Sequence, residues 1–291
     1  MLKILVANNH LDNYGGSETW TYAIVQELKR LGHMVEVYSK SRGKMSIRLN
    51  MTSTPRRYYD LILINHNTCL RDLRHVKGFK IFTSHGIYPK LEQPERGANA
   101  YVAITPEVQK NVDHLGYRSS VIFNGVDLTR FDNNLQTHDR LENVLCLSHG
   151  DKAKDMVEQA CKILGVKFSF ITGRFNVENA INDNDLVVSL GRGAIEAMAC
   201  GREVLILDSR GYMTEDVVGE GMFSPSMPDG VKYHNYSGRF YGKKYDVALI
   251  VEEMKSYNRS RGLVNRNYVL IYHHIKNKVQ EYLKIYGQKI K

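Results

Sequence analysis

The chain has 291 residues, 43% hydrophobic and 24% charged, with a formal net charge of +9. That composition excludes disordered and fibrous proteins, and the length suits two domains better than one small stapled module. The longest apolar runs, such as Leu61 to Ile64 and Val269 to Tyr272, fall far short of the ~18 residues a membrane-spanning helix needs. Cys69, Cys146, Cys161 and Cys200 lie far apart with no C-x-x-C pair, so neither a disulfide framework nor a structural zinc site is expected. A reducing, cytoplasmic compartment fits this usage.

Short β-rich runs alternate with helical stretches along most of the chain, the pattern of βαβ units around a mostly parallel sheet. The fold class is therefore α/β. Leu2 to Ala7 breaks off at the polar Asn8, Asn9 and His10, so it reads as a first strand and not as a secretory signal. A helix is expected from Ser17, as N-cap, to about Leu31, with Trp20, Ile24 and Leu28 on one face and Gly32 as its stop. Strands follow at Val35 to Ser39, Tyr59 to Ile64, Phe79 to Thr83 and Tyr101 to Ile104. Thr105 and Pro106 open another helix as cap and first residue.

After a strand near Val121 to Phe123, the polar stretch from Asn124 to His138 reads as a linker. A second α/β series then starts, with strands at Val144 to Leu147, Val166 to Ile171, Leu186 to Leu190 and Val204 to Leu207. Tyr268, Tyr272, Ile275, Val279, Tyr282, Tyr286 and Ile290 recur at three- and four-residue steps, which predicts one long amphipathic helix closing the chain. The expected division is residues 1–130, 140–262 and a terminal helix at 263–291. From Arg259 to Lys291 three Arg and five Lys stand against Glu281 alone, a net +7. Such a tail faces an acidic partner or is a solvated helix face.

The densest chemical signal is Asp185 to Gly201, a strand, a glycine-flanked turn and a helix. Gly191 and Gly193 let the backbone approach a ligand, the helix N-terminus offers N–H groups to phosphate oxygens, and Arg192 adds a guanidinium clamp. Glu196, one turn further, suits sugar hydroxyls; its alternative role is to offset the helix dipole. The same stretch resembles a dinucleotide fingerprint, with Asp208 ending the next strand, but Glu196 stands where that motif has its third glycine, which weakens an NAD-dependent dehydrogenase reading. His85, at the end of a strand, stands where open α/β sheets place ligand-binding residues, with a structural histidine as the alternative, and His10 in the first loop is a further candidate.

Glu-Ala-Met-Ala-Cys-Gly (196 to 201), Gly-Gly-Ser-Glu-Thr (15 to 19) and Val-Ile-Phe-Asn-Gly-Val-Asp (121 to 127) followed by Phe131 resemble, in this order, three motifs of glycosyltransferase family 4. The resemblance implies a GT-B fold, with two Rossmann-like domains facing across a cleft, an N-terminal acceptor domain and a C-terminal donor domain. It implies metal-independent transfer, with retention, of a sugar from a UDP- or GDP-linked donor to a hydroxyl acceptor, with no separate cofactor. Glu196 matches the second glutamate of the family's E-x7-E pair, which holds the nucleotide ribose. The first has no counterpart: Val188 occupies its place, in a strand, and the loop before the helix is short.

The resemblance further implies donor-binding roles for Gly15, Gly16, Lys152, Lys154, Gly191, Arg192, Gly193, Ala194 and Glu196. Lys152 or Lys154 would supply the cation beside the diphosphate, with Arg192 or Arg174 replacing the usual arginine, and His85 would act near the reacting carbon; the alternatives are that these lysines are merely solvated and that Gly15 and Gly16 form a simple helix-entry loop. The terminal helix would brace the N-terminal domain with its lysines facing out; the other option is peripheral contact with the inner membrane face. Two further readings are a non-catalytic nucleotide- or glycan-binding protein, which the missing glutamate suggests, and nucleic-acid binding through the basic tail, which is disfavoured and would show a steep salt dependence.

Overall fold

The computed structural model describes residues 1–52, 54–133, 137–147, 151–211 and 214–290. The chain divides into two units, Met1–Asp127 with Ile275–Lys291, and Leu128–His274. In the first, β1 (Lys3–Ala7), β2 (His10–Leu11), α1 (Gly16–Arg30), β3 (Met34–Tyr38), β4 (Ser41–Arg42), β5 (Met51–Thr52), β6 (Tyr58–Ile64), α2 (Asn67–Asp72), β7 (Lys77–Ser84), β8 (Ala100–Ala103), α3 (Pro106–His114) and β9 (Ser119–Val121) follow in order. Seven strands form a parallel sheet, β5-β3-β1-β6-β7-β8-β9, while β2 and β4 pair separately. Residues Ile4 to Ala7 and Leu61 to Ile64 are at most 1% exposed, which is why these strands read as unbroken apolar runs: both faces of the sheet are covered. Because β1 lies between β3 and β6, the winding reverses there, and the carboxyl ends of β1 and β6 flank the crevice where such sheets bind ligands.

Trp20, Ile24 and Leu28 are buried on one face of α1 as the periodicity requires. The helix nevertheless begins at Gly16 with extended Gly15 as N-cap, two residues before Ser17 was expected to cap it. The Gly15 carbonyl accepts from the Thr19 N–H at 3.0 Å, and the Ser17 hydroxyl donates to Glu18 instead. In α3, Thr105 accepts from the Val108 N–H and Pro106 takes the first position.

The second unit contains β10 (Asn143–Leu147), α4 (Asp151–Leu164), β11 (Lys167–Ile171), α5 (Glu178–Asn182), β12 (Leu186–Ser189), α6 (Gly191–Ala199), β13 (Glu203–Asp208), β14 (Val218–Met222), α7 (Asp229–Tyr233), β15 (Lys243–Lys244), α8 (Val247–Lys255) and α9 (Ser260–Tyr272). Its sheet runs β11-β10-β12-β13-β14-β15, parallel up to β13 and antiparallel beyond. Here the winding reverses between β10 and β12, so the start of α6 stands at the corresponding crevice. Val144, Val188, Leu205 and Val157 pack with Ile250 and Met254 of α8 in the core.

The stripe expected to form one terminal helix forms two. After α9 the chain passes through His273 and His274 and re-enters a helix, α10 (Ile275–Ile290), which belongs to the first unit. Tyr268 bonds within the second unit through Tyr236, whereas Tyr282 packs on Trp20 and Tyr286 on Phe79. Neither glycine nor proline marks the break, and the three-residue step from Tyr272 to Ile275 preserves the helical phase, so periodicity alone joins the two. Of the lysines, Lys276 and Lys284 are exposed, while Lys278 is buried beside Glu281 and the Phe123 ring.

The expected linker is also packed where it is described. Asn124, Val126, Asp127, Leu128 and Phe131 are buried, and Arg30 donates to the Asp127 carboxylate. Gly125 serves close approach: a Cβ there would stand 2.7 Å from Ile275 Cδ1, and the Val126 carbonyl accepts from the Ile275 N–H at 3.0 Å. The boundary thus falls at Asp127/Leu128, before the expected 130–140 break. Cys69, Cys146, Cys161 and Cys200 are buried thiols rather than disulfide halves, and burial pushes each up to about 12. Among the described residues no helix is long and apolar enough to cross a membrane.

Candidate active site

In the first unit, β1, β6 and β7 deliver Asn8-Asn9-His10, Asn65-His66-Asn67 and His85 to one edge of the sheet. Thr21 of α1 organises them. The side-chain amides of Asn8 and Asn65 both donate to its hydroxyl, at 3.0 and 2.9 Å, and that hydroxyl donates to the Ser17 carbonyl. With its NH2 committed, Asn65 turns its oxygen to His85 Nε2 at 3.2 Å. A carbonyl oxygen only accepts, so with this amide orientation a neutral His85 carries its proton on Nε2. Trp20 meets the ring edge-on, with centroids 5.3 Å apart.

His10 stacks on His66 at 5.0 Å and reaches buried Glu18 at 3.4 Å. Gly16 has open space where a Cβ would stand, whereas a Cβ on Gly15 would crowd the Glu18 carboxylate. His66 Nδ1 accepts from the Asn9 N–H at 3.1 Å, which requires an unprotonated nitrogen. Burial, with His10 adding to it, lowers the His66 pKa to about 4. The fold therefore favours the neutral ring: this stability is complete above the unfolded value of about 6.5 and is lost as pH falls towards the folded value. In that window unfolding free energy should drop by up to ~1.4 kcal/mol per pH unit. Urea unfolding of wild type and His66→Asn between pH 7.5 and 5 measures this, and equal pH slopes would refute it.

In the second unit, α6 begins directly after β12. Leu190 is an extended N-cap without a side-chain cap bond, and Gly191 is left-handed at φ +55°. A Cβ on Gly193 would collide with Ser189 Oγ, whose hydroxyl donates to the Leu147 carbonyl at 2.7 Å. Gly193 thus lets α6 rest on the ends of β10 and β12. The Gly191 N–H donates to the Tyr236 carbonyl and the Ala194 N–H to Leu190.

Arg192 Nε donates to Glu196 Oε1 at 2.8 Å across one turn, with side chains 9% and 8% exposed. Burial raises the Glu196 pKa, against the pull of Arg192 and Arg130, and lowers that of Arg192. Arg130 is the second cation acting on Glu196. It pairs with Glu178 at 3.0 Å, donates to the Phe175 carbonyl and lies 3.9 Å from the Phe175 ring centre. Sequence reading missed Arg130, although it directly precedes Phe131 of the third motif.

The two lysines lie on α4. Lys152 donates to the Glu215 carbonyl at 2.8 Å, and Lys154 lies between Asp155 and the Phe170 ring. Arg174 is exposed on the loop after β11, and Ser148 to Gly150, beside these lysines, lie outside the described residues. Asp208, which a dinucleotide site would need for ribose, is held through both oxygens by Arg210 at 2.6–3.1 Å. Among the described residues no group of three or more His, Cys, Asp or Glu side chains could hold a metal ion.

No protein-family profile and no curated protein matches the sequence. Solved structures do match. HepE of Anabaena, in complex with UDP and glucose, aligns at a TM-score of 0.59 and 15% identity, covering 99% of this chain and 100% of that one. Sucrose-phosphate synthase from Thermosynechococcus elongatus aligns at 0.59 and 13% identity, covering 99% and 98%. WaaG, a glycosyltransferase involved in lipopolysaccharide biosynthesis, aligns at 0.59 and 11%, covering 97% and 99%.

The fold is GT-B. At these identities it is the architecture that is shared, with two Rossmann-like sheets in one order along the chain. Within the GT-B frame α6 is the helix at the crevice of the C-terminal sheet, and His85 stands at the carboxyl edge of the N-terminal one.

Proposed function

We propose that this GT-B protein is a retaining glycosyltransferase of family 4 that moves a sugar from a UDP- or GDP-linked donor to a hydroxyl acceptor without a metal. The observation that carries the proposal is the start of α6, where Gly191, Gly193, Arg192 and Glu196 meet at the crevice of the second sheet. Donor-binding roles for these four residues with Ala194, Lys152, Lys154, Gly15 and Gly16 remain part of the proposal. A carboxylate accepts from two vicinal hydroxyls, so Glu196 holds the ribose. Arg192, the Gly193 N–H and the helix dipole hold the diphosphate and stabilise its charge as the glycosidic bond breaks. The Ala194 N–H already serves the helix, so its part is in shaping the turn. His85 acts near the reacting carbon. The structures solved with UDP, HepE among them, support a nucleotide-sugar donor.

A thermal-shift panel with UDP, GDP, ADP, their sugars and NAD(H) tests the proposal. One nucleoside diphosphate and its sugar should stabilise, by about 2.7 kcal/mol at 100 times the dissociation constant. His85→Ala should keep that shift while slowing donor hydrolysis by roughly 10²-fold or more. Stabilisation by NAD(H) alone, or none by any nucleotide, would overturn it. A second reading, nucleotide binding without turnover, draws on Val188 in place of the first glutamate; binding with no hydrolysis or transfer by wild type would favour it.

A further inference from the structure

We propose that Asn235 reads the sugar ring of the donor, an inference that rests on the donor-site reading of α6. Asn235 and Tyr236 are consecutive non-glycine residues in the left-handed region, at φ 55° and 51°. For Asn235 alone that conformation is an ordinary helix end: it follows α7, and the N–H groups of Asn235 and Tyr236 donate back to Lys232 and Val231. A second such residue, a tyrosine, is disfavoured and persists only where its surroundings impose it.

The surroundings do so on two sides. The Tyr236 hydroxyl is buried between His273 Nε2 at 2.7 Å and the Tyr268 hydroxyl at 3.0 Å, and its ring packs edge-on against Phe223. Its carbonyl accepts the Gly191 N–H at 3.0 Å. The arch is thereby clamped onto the first residue of α6, with the Asn235 amide nitrogen 3.4 Å from where a Gly191 Cβ would stand.

The order of groups along α6 then matches the order of groups along a nucleotide sugar. Glu196, in the second turn, stands for the ribose end, and Arg192 and Gly193 in the first turn stand for the diphosphate. Asn235 borders Gly191, the first residue of α6, while Glu196 lies a turn further along, so the proposal puts the sugar at the Asn235 end. The one-residue connection between β12 and α6 leaves no room for an acidic residue there, and Val188 is buried in the strand. A neutral amide both donates to and accepts from hydroxyls and carries no charge to repel the diphosphate.

Calorimetric titration of wild type and Asn235→Gly with UDP, UDP-glucose, UDP-galactose, GDP and GDP-mannose tests this. Glycine keeps the left-handed backbone and removes the amide, so a cooperatively folded variant is expected, with its melting temperature measured alongside to separate any loss of stability from loss of binding. The dissociation constant of the nucleoside diphosphate should stay within about twofold, while that of its sugar nucleotide rises about tenfold, the scale of one lost hydrogen bond. If both constants are unchanged, or weaken equally, Asn235 is only the helix end and the inference is overturned. If wild type binds none of these nucleotides, the donor-site reading fails and this role falls with it.

Discussion

Replacing Glu196 with alanine is expected to destabilise the second unit by about 3–5 kcal/mol, the usual cost of breaking a buried ion pair by removing one partner. The Arg192 guanidinium would be left in a site where its side chain is only 9% exposed, with Arg130 adding to the unfavourable positive potential. The same substitution should abolish the stabilisation given by a nucleoside diphosphate, so stability and binding fall together. The double variant Arg192→Met/Glu196→Leu separates them. Removing both charges in favour of apolar groups is often neutral or stabilising, so its melting temperature should return to within a few degrees of wild type while nucleotide binding stays absent. If the double variant bound nucleotide like wild type, the pair would be structural only and the donor site would lie elsewhere. If Glu196→Ala unfolded with wild-type stability, the burial of the pair would be refuted.

Tyr282→Ala should cost the first unit about 3–5 kcal/mol, the range for deleting a large buried aromatic side chain. Tyr282 is 1% exposed, meets Trp20 edge-on at 5.9 Å and shares a hydrogen bond with the buried Thr83 hydroxyl at 3.1 Å. Tyr282→Phe keeps the ring and removes only the bond, so a loss of about 1 kcal/mol is expected, with a further penalty if Thr83 finds no other partner. Chemical unfolding of the two variants measures both. Deleting residues 275–291 should expose Trp20 and the Val126 carbonyl and prevent the first unit from folding. Retained cooperative folding of that truncation would show that α10 is an accessory and not a brace.

Which parts of this were readable from the chain alone follows from whether their signal is local. The apolar runs at Ile4 to Ala7 and Leu61 to Ile64, the Thr105-Pro106 helix start and the restart of the strand-helix pattern after residue 140 are local, and the sheets follow them. The start of α6 was equally legible, because Gly191, Gly193 and Glu196 lie within one turn or two of one another. The break after Tyr272 was not, since Ile275 keeps the phase of the stripe while changing the surface it packs against. The stretch from Asn124 to Phe131 reads as a polar linker because its side chains are polar; it is buried because Ile275 and Arg30, distant in sequence, come to meet it.

The site divides in the same way. Sequence by itself determined the α/β class, the crevice helix with Arg192 and Glu196, and His85 at a strand end, since each depends on neighbours a few residues apart. Only the tertiary structure decided that Glu196 is already paired with Arg192, that Arg130 is a further cation acting on Glu196, and that Asn65, bonded to Thr21, turns its oxygen to His85. It alone brought Tyr236 onto Gly191 across more than forty positions of sequence. Hydrogen bonds and ion pairs depend on distance in space, and no spacing along the chain encodes which buried partner a charge will meet.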